Sequence, residues 1–330
     1  ANELTELTIY RLIFAVGAAS ASAMLAAVAN DYPTEASRAK TIALCMVFNA
    51  IGMVVITAWV KSMPEWFEGL GFSAKGAVTY TRWWVAGFCF LVAIVVGVGL
   101  KKGAPAQVEK REGTLATIKV GFAAARKPRI ALSYAAAFVS RGDLAVLSTF
   151  FTIWLFMEGT SRGMSTTEAM DKGLFFYIVI QASALVAAGF MGFLLDRIDR
   201  VWGLVIAMVF AGTGYLSLAF VNDPLGTQMY YSAILVGIGE IAANLSSLSL
   251  VGKEAPVKGR GAVIGMFSLF GAFGILVVAK VGGWLFDEWS SVGPFVLVGI
   301  ANFVVMLLAL LVLAFDRQKD EVVAGGVSQD

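Results

Sequence analysis

Long apolar stretches dominate the sequence and leave few folds open to it. Each has roughly 20 residues, the length that an α-helix needs to cross the ~30 Å hydrocarbon core of a bilayer. Backbone N–H and C=O groups cannot stay unpaired in lipid, so such stretches form helices. The sequence therefore predicts an all-α polytopic membrane protein with about nine transmembrane helices, at approximately 6–30, 39–60, 80–100, 130–157, 173–194, 201–221, 227–250, 261–287 and 292–315.

The composition agrees with this class and excludes several others. Hydrophobic residues make up 58% of the chain and charged residues 15%, and the net charge of +2 gives no reason to expect a nucleic-acid partner. The sequence contains no His. Histidine general bases, Ser-His-Asp triads and most zinc or haem ligation are thereby removed. We expect a protein that is not an enzyme and that holds no cofactor or metal.

An internal repeat relates two parts of the chain. The first copy has Arg38, Ile42, Phe48, Ala50, Gly52 and Val55, and the second has Arg260, Ile264, Phe270, Ala272, Gly274 and Val277. Duplicated halves are a common architecture of membrane transporters. Far more chain precedes the second copy than the first. We therefore expect three further helices to precede residue 1.

The distribution of Lys and Arg predicts the orientation and the domain organisation. Most of these cations lie in alternate links between the predicted helices, and such links are cytoplasmic. We expect an incomplete N-terminal half (1–100), a cytoplasmic central loop (101–128), a six-helix C-terminal half (129–316) and a cytoplasmic tail (317–330). Within the loop, 114–127 has the pattern of a short surface helix. The polar tail is expected to be disordered.

A motif lies in the tight link between the fifth and sixth predicted helices. It resembles the loop signature of the major facilitator superfamily (MFS) at Gly192, Leu194, Asp196, Arg197 and Arg200. Two positions depart from the family pattern, because Asp199 replaces the usual Gly and Val201 the usual basic residue. We expect Asp196 to cap the helix that follows.

A second resemblance lies in the first predicted helix. Leu7, Arg11, Gly17, Ala18 and Ala19 match the family's fourth-helix pattern, whereas Phe14 and Ala15 do not. The resemblance implies that the chain corresponds to helices 4–12 of a twelve-helix fold. It also implies that helices one, four, seven and ten line a central cavity, and that Arg11 is linked to proton movement. The fifth-helix Gly-Pro signature of drug/proton antiporters is absent.

Ionisable residues inside the predicted helices are the candidate site residues. Each costs roughly 2.5–3.5 kcal/mol at mid-bilayer, so it should face protein or water. These residues are Arg11, Arg141, Asp143, Glu240 and Lys280. Helical spacing places Asn244 on the same face as Glu240 and turns Arg141 away from Asp143. A polar face around Asp143 ends early, because the next step of four residues reaches Leu147, and this makes Asp143 the weaker candidate.

Glu240 is the strongest candidate for a titrating group, because a low-dielectric cavity brings the pKa of a carboxyl group toward the working pH. The alternative is an ion-pair network that only holds helices together. The predicted function is secondary active transport of a small solute by alternating access, coupled to protons or another ion. We expect a monomer in the lipid bilayer of the bacterial inner membrane. A non-transporting sensor or assembly factor on the same scaffold remains the alternative.

Overall fold

The computed structural model describes residues 62–99, 114–256 and 259–326, together with scattered helical positions between 6 and 60. The chain divides into two compact units, Ala1–Val108 and Glu109–Asp330. Most of the predicted helices at 6–30 and 39–60 lies outside the described residues. The described part is helical throughout, without strands, which confirms the predicted fold class.

Eight helices have defined bounds in the described part of the chain, and seven of them are long and apolar enough to cross a membrane. Their bounds are α1, Ala74–Gly99; α2, Thr114–Ala124; α3, Pro128–Ser161; α4, Thr166–Arg197; α5, Arg200–Phe220; α6, Gln228–Glu254; α7, Arg260–Glu288; and α8, Gly293–Gly326. The seven candidate membrane spans are all of these helices except α2. The seven predicted spans that fall within the described residues are confirmed.

Helix α8 corrects one prediction. The polar tail was expected to be disordered from about Asp316, but the helix continues through Gly326. Residues 317–326 contain Arg, Gln, Lys, Glu and Ala, which are good helix formers, and no Pro. An existing helix is extended at little cost because the unfavourable nucleation step has already occurred.

Two helix pairs organise the C-terminal unit. Helix α3 packs on α7, and α6 packs on α4, so the first helix of each three-helix group contacts the middle helix of the other. Both contacts need glycine. A Cβ at Gly274 would overlap the Phe138 carbonyl oxygen, and a Cβ at Gly237 would overlap the Ile180 carbonyl oxygen. Close backbone approach through small residues is typical of membrane helices.

The other helices complete this unit around α3 and α6. Helix α5 packs on α6 and α8, and α8 also packs on α3. Helix α3 contains a π-helical turn at Leu147–Phe151, four residues beyond Asp143. Such turns are frequent at functional sites. The side chains of α3, α5, α6 and α8 thus meet in one interior.

The predicted surface helix in the central loop is present as α2. It packs on α7, where Gly121 lies against the backbone of Ala262. The Tyr134 hydroxyl of α3 donates a hydrogen bond to the Gly121 carbonyl at 3.0 Å. Helix α2 is therefore anchored to the C-terminal unit.

Candidate functional site

Asp143 and Asn302 form the most deeply buried polar contact of the C-terminal unit. Both side chains have 0% exposure. The Asn302 Nδ2 group of α8 donates to Asp143 Oδ1 at 3.1 Å and to Oδ2 at 3.0 Å. It also reaches the Val298 carbonyl at 2.8 Å. The amide therefore holds the Asp143 carboxylate in place across the α3–α8 contact.

Glu240 lies on α6 near this pair. Its exposure is 5%, and its Oε2 atom has no hydrogen-bond partner in the part of the chain that the structure describes. Asp143 and Glu240 are close enough to interact electrostatically. Tyr215, on α5, interacts with both carboxyl groups, and its fully buried hydroxyl is also without a partner there. Four helices thus contribute polar side chains to one buried region.

A serine pair fixes the register of α3 against α6. The hydroxyls of Ser140 and Ser247 lie 3.4 Å apart. The two helices run in opposite directions, and each residue advances a helix by ~1.5 Å. Asp143 and Asn244 therefore lie at one level, ~4.5 Å from the serine pair. Glu240 lies about one turn from Asn244, toward the start of α6.

Asn244 belongs to the same polar region. Its Oδ1 atom is buried and has no partner among the described residues. Its backbone carbonyl accepts a hydrogen bond from the Ser247 hydroxyl at 2.9 Å. The predicted polar face of α6 is therefore present, and it faces α3 in the interior of the unit.

The predicted cations do not join these carboxyl groups. The Arg141 side chain lies beside Gly271 of α7, and Lys280 is exposed. Neither forms an ion pair with any residue that the structure describes. Arg11 lies outside the described residues. As predicted from the helical spacing, Arg141 and Asp143 point to different neighbours.

Asp143 was the weaker candidate in the sequence, yet it is as central as Glu240. The sequence argument followed only its own helix, where Leu147 ends the polar face. Its partner comes from another helix, α8, which the sequence analysis did not search for uncharged polar residues. Asn302 could have been found as a lone amide in an otherwise apolar span, since such residues often bond across membrane helices.

The cluster has a chemical consequence. Two carboxyl groups share a buried interior, and no Lys or Arg of the described segments offsets their charge. Removing an ion from water costs several kcal/mol unless a partner compensates it. A proton or a small cation is therefore the means by which this arrangement becomes neutral. Exchange of such an ion would change the charge of the interior.

The loop motif shows a different capping residue from the predicted one. Helix α4 continues to Arg197, so Asp196 lies in its last turn, where the side chain is 80% exposed and only 3.4 Å from Arg200. Asp199 caps α5, because its carboxylate accepts from the Val201 amide at 2.9 Å. The capping prediction for Asp196 was wrong. Asp199 is one of the two positions at which the motif departs from the family pattern.

Arg129 is the centre of an ion-pair cluster at this end of the unit. It donates to Asp316 at 2.7 Å, to Asp199 at 3.1 Å and to Glu254 at 3.2 Å. Burial opposes ionisation of Asp199, but the Val201 amide and the Arg129 guanidinium outweigh it and lower the pKa of that carboxyl. One side chain thus ties the start of α3 to the end of α6, to Asp316 within α8 and to the α4–α5 link. The sequence analysis missed this role, although Arg129 follows Pro128 at the start of α3.

The repeat residues are only partly described. Arg38 lies outside the described residues, whereas Arg260 lies within them. Gly192, the first residue of the loop motif, lies within α4. Arg260 is the first residue of α7 and donates to the Gly252 carbonyl of α6 at 3.0 Å. Gly259 precedes it with a φ of 85°, a conformation that favours glycine. Arg260 therefore fixes the turn between α6 and α7.

Several known proteins resemble this chain. Residues 173–328 match the sequence profile of the Major Facilitator Superfamily. The Magnetosome protein MamH of Paramagnetospirillum magneticum is 23% identical over 305 residues, which cover 92% of this chain and 68% of that protein. The Magnetosome protein MamZ of the same organism is 24% identical over 310 residues, covering 92% of this chain and 46% of that protein. The chain therefore spans about half the length of MamZ.

Solved structures match as well. One of them is the crystal structure of a bacterial homologue of the human lysosomal transporter Spinster, in an inward-facing and unoccupied conformation. The sequence identity is 15% and the TM-score is 0.46, and the match covers 87% of this chain and 72% of that one.

Proposed function

We propose that this chain moves a small solute across a membrane by alternating access, coupled to protons. Residues 173–328 match the profile of the Major Facilitator Superfamily, whose members are transporters rather than enzymes, and this match supports the proposal. Glu240 is the group that exchanges the proton. Asp143 is its electrostatic neighbour, and Asn302 positions Asp143. The chemical class of the solute stays open, because a fold does not fix a substrate.

The single observation that supports this proposal is the pair of buried carboxyl groups without a cationic partner. A purely structural ion-pair network would place a cation against Asp143 or Glu240, and the described residues place none there. Intramembrane carboxyl groups in transporters commonly form proton relays. An uncompensated Glu240 can accept a proton on one side of the membrane and release it on the other.

The proposal includes the predicted organisation of the chain. Residues 1–100 would supply helices of the N-terminal half, 101–128 the central loop, 129–316 the six-helix half and 317–330 the tail. Arg11 remains a candidate for proton movement through its family resemblance. We propose a monomer with a cytoplasmic C-terminus. The names of the relatives indicate the magnetosome for those proteins, so the inner membrane and an internal membrane of that kind are both proposed locations.

Transport by reconstituted protein tests this function. The chain is placed in liposomes that contain a pH-sensitive dye, and candidate solutes are added one at a time under a proton gradient. We expect one solute class to accumulate together with a change in internal pH. Glu240→Gln should abolish accumulation driven by the gradient and leave solute exchange intact, because exchange needs no net proton movement.

Glu288→Gln is the matched control, since it removes an exposed carboxyl at the end of α7. This variant should behave as the wild type. If accumulation by Glu240→Gln kept the wild-type pH dependence, the assignment of the proton site would be wrong. If the protein bound a solute but moved none, it would belong to the sensor class instead.

A further inference from the structure

The polar interior of the C-terminal unit contains several buried oxygens without a hydrogen-bond partner among the described residues. The buried atoms without a partner among the described residues are Glu240 Oε2, Asn244 Oδ1, Asn302 Oδ1 and the Tyr215 hydroxyl. Three of these are oxygens that only accept, if Glu240 is ionised. The phenol offers one hydrogen, which satisfies at most one of them. Buried acceptors left unpaired each cost about 1–3 kcal/mol.

Several neighbouring donors are already used. The Asn302 amide nitrogen donates to both oxygens of Asp143 and to the Val298 carbonyl. The Ser247 hydroxyl donates to the Asn244 carbonyl, and the Ser140 hydroxyl faces Ser247. The two serine hydroxyls therefore have no hydrogen left for the three acceptors. A ligand with positive charge would satisfy several of them at once.

We infer that this region, where α3, α5, α6 and α8 meet, is a binding site for a small hard cation, namely Na⁺. The ligands are the Glu240 carboxylate and the amide oxygens of Asn244 and Asn302, with Asp143 as the nearby second charge. The site lies within one six-helix unit. The inference rests on the proposed function, because it names a second ion that the proton site accepts.

The donor set selects the class of cation. Hard cations prefer carboxylate and amide oxygens, whereas soft and borderline metals prefer thiolate or imidazole. The described residues contain no group of three or more His, Cys, Asp or Glu side chains that could hold a metal ion. One carboxylate and two neutral amide oxygens carry a single negative charge, which matches a monovalent ion. Mg²⁺ gives up its water reluctantly and usually keeps several waters, so a site built from protein oxygens suits it less well.

Protons and Na⁺ would compete for Glu240. A protonated Glu240 can no longer offer a full negative charge, so Na⁺ binding should weaken as the pH falls. The titratable groups that face Glu240 are Asp143 on α3, Tyr215 on α5 and Tyr177 on α4. No cation of the described helices faces it. Both phenols stay neutral over the pH range in which the two carboxyl groups gain or lose a proton, because the ordinary pKa of a carboxyl group is far below that of a phenol.

Equilibrium binding of radioactive sodium to the purified chain tests the inference. Binding should be saturable, insensitive to choline, and weaker at about pH 5 than at about pH 8. Glu240→Gln should weaken it by at least tenfold, which is about 1.4 kcal/mol. Asn244→Leu, at a half-buried position, should weaken it as well, while Glu288→Gln should bind as the wild type.

A fold control accompanies each variant. The elution profile in detergent and the thermal midpoint show whether the protein is intact, and Na⁺ should raise the midpoint of the wild type but not that of Glu240→Gln. Binding that does not saturate, or that survives Glu240→Gln in a folded protein, would overturn the inference.

The two proposals can fail separately. Solute-driven proton movement without saturable sodium binding would overturn the sodium site and leave the proposed function standing. Saturable sodium binding without any solute movement would overturn the proposed function and leave the sodium site standing.

Discussion

Replacing Asn302 by Leu removes the only donors that reach the Asp143 carboxylate from the described residues. Both oxygens of Asp143 accept from the same amide, at 3.0 and 3.1 Å, and both side chains have 0% exposure. Leu has a similar volume, so the packing change is small. The main effect is therefore the loss of hydrogen bonds to a buried charged group.

The expected magnitude follows from these contacts. A hydrogen bond to a charged group contributes about 1.5–3 kcal/mol, and leaving a buried charge without its partner costs about 3–5 kcal/mol. We expect Asn302→Leu to lower the free energy of unfolding by about 3–5 kcal/mol. At about 2–4 °C per kcal/mol for a unit of this size, the thermal midpoint should fall by about 10 °C.

A double-mutant cycle isolates the pair. Asp143→Leu combined with Asn302→Leu replaces both partners by apolar groups, which is often close to neutral for stability. The double variant should therefore melt above Asn302→Leu alone, in detergent at neutral pH. An Asn302→Leu midpoint within about 2 °C of the wild type, or a double variant no more stable than the single one, would refute the reasoning.

Two further predictions concern helix packing and the Arg129 cluster. Gly274→Ala should destabilise the protein by about 1–3 kcal/mol, because the new methyl group would overlap the Phe138 carbonyl oxygen, whereas Gly189→Ala on the open face of α4 should be neutral or stabilising in the same thermal assay. Arg129→Gln should lower the free energy of unfolding by about 1–2 kcal/mol. Because the pKa of Asp199 is lowered, its share of this contribution is present above the ordinary carboxyl range and is lost as the pH falls through the lowered value. In urea titrations, the free energies of unfolding of the wild type and of Arg129→Gln should therefore differ by a constant amount near neutral pH, and this difference should shrink in acid. A difference that grew in acid would contradict this cause.

The helices could be predicted from the sequence because their signal is local. A run of apolar residues long enough to span a bilayer must be helical, whatever surrounds it. The seven spans with defined bounds accordingly agree with the predicted ones. The polar face of Glu240 and Asn244 was also predictable, since residues four apart share one side of a helix.

Contacts between distant parts of the chain could not be predicted in this way. The Asp143–Asn302 pair joins residues that lie 159 positions apart, and the Arg129–Asp316 pair joins residues 187 apart. No periodicity within one helix encodes either pair. The wrong capping residue had a different cause. Helix α4 continues to Arg197, so Asp196 still belongs to α4 and Asp199 is left to cap α5. The residue at which a helix ends is among the least predictable features of a sequence.

Infrared difference spectroscopy of the purified chain, between about pH 5 and about pH 9, tests the claim that Glu240 exchanges a proton inside the protein. The account predicts a carbonyl-stretch band of a protonated carboxylic acid at the lower pH, kept in Glu288→Gln and missing in Glu240→Gln. A spectrum of Glu240→Gln that is identical to that of the wild type would contradict it.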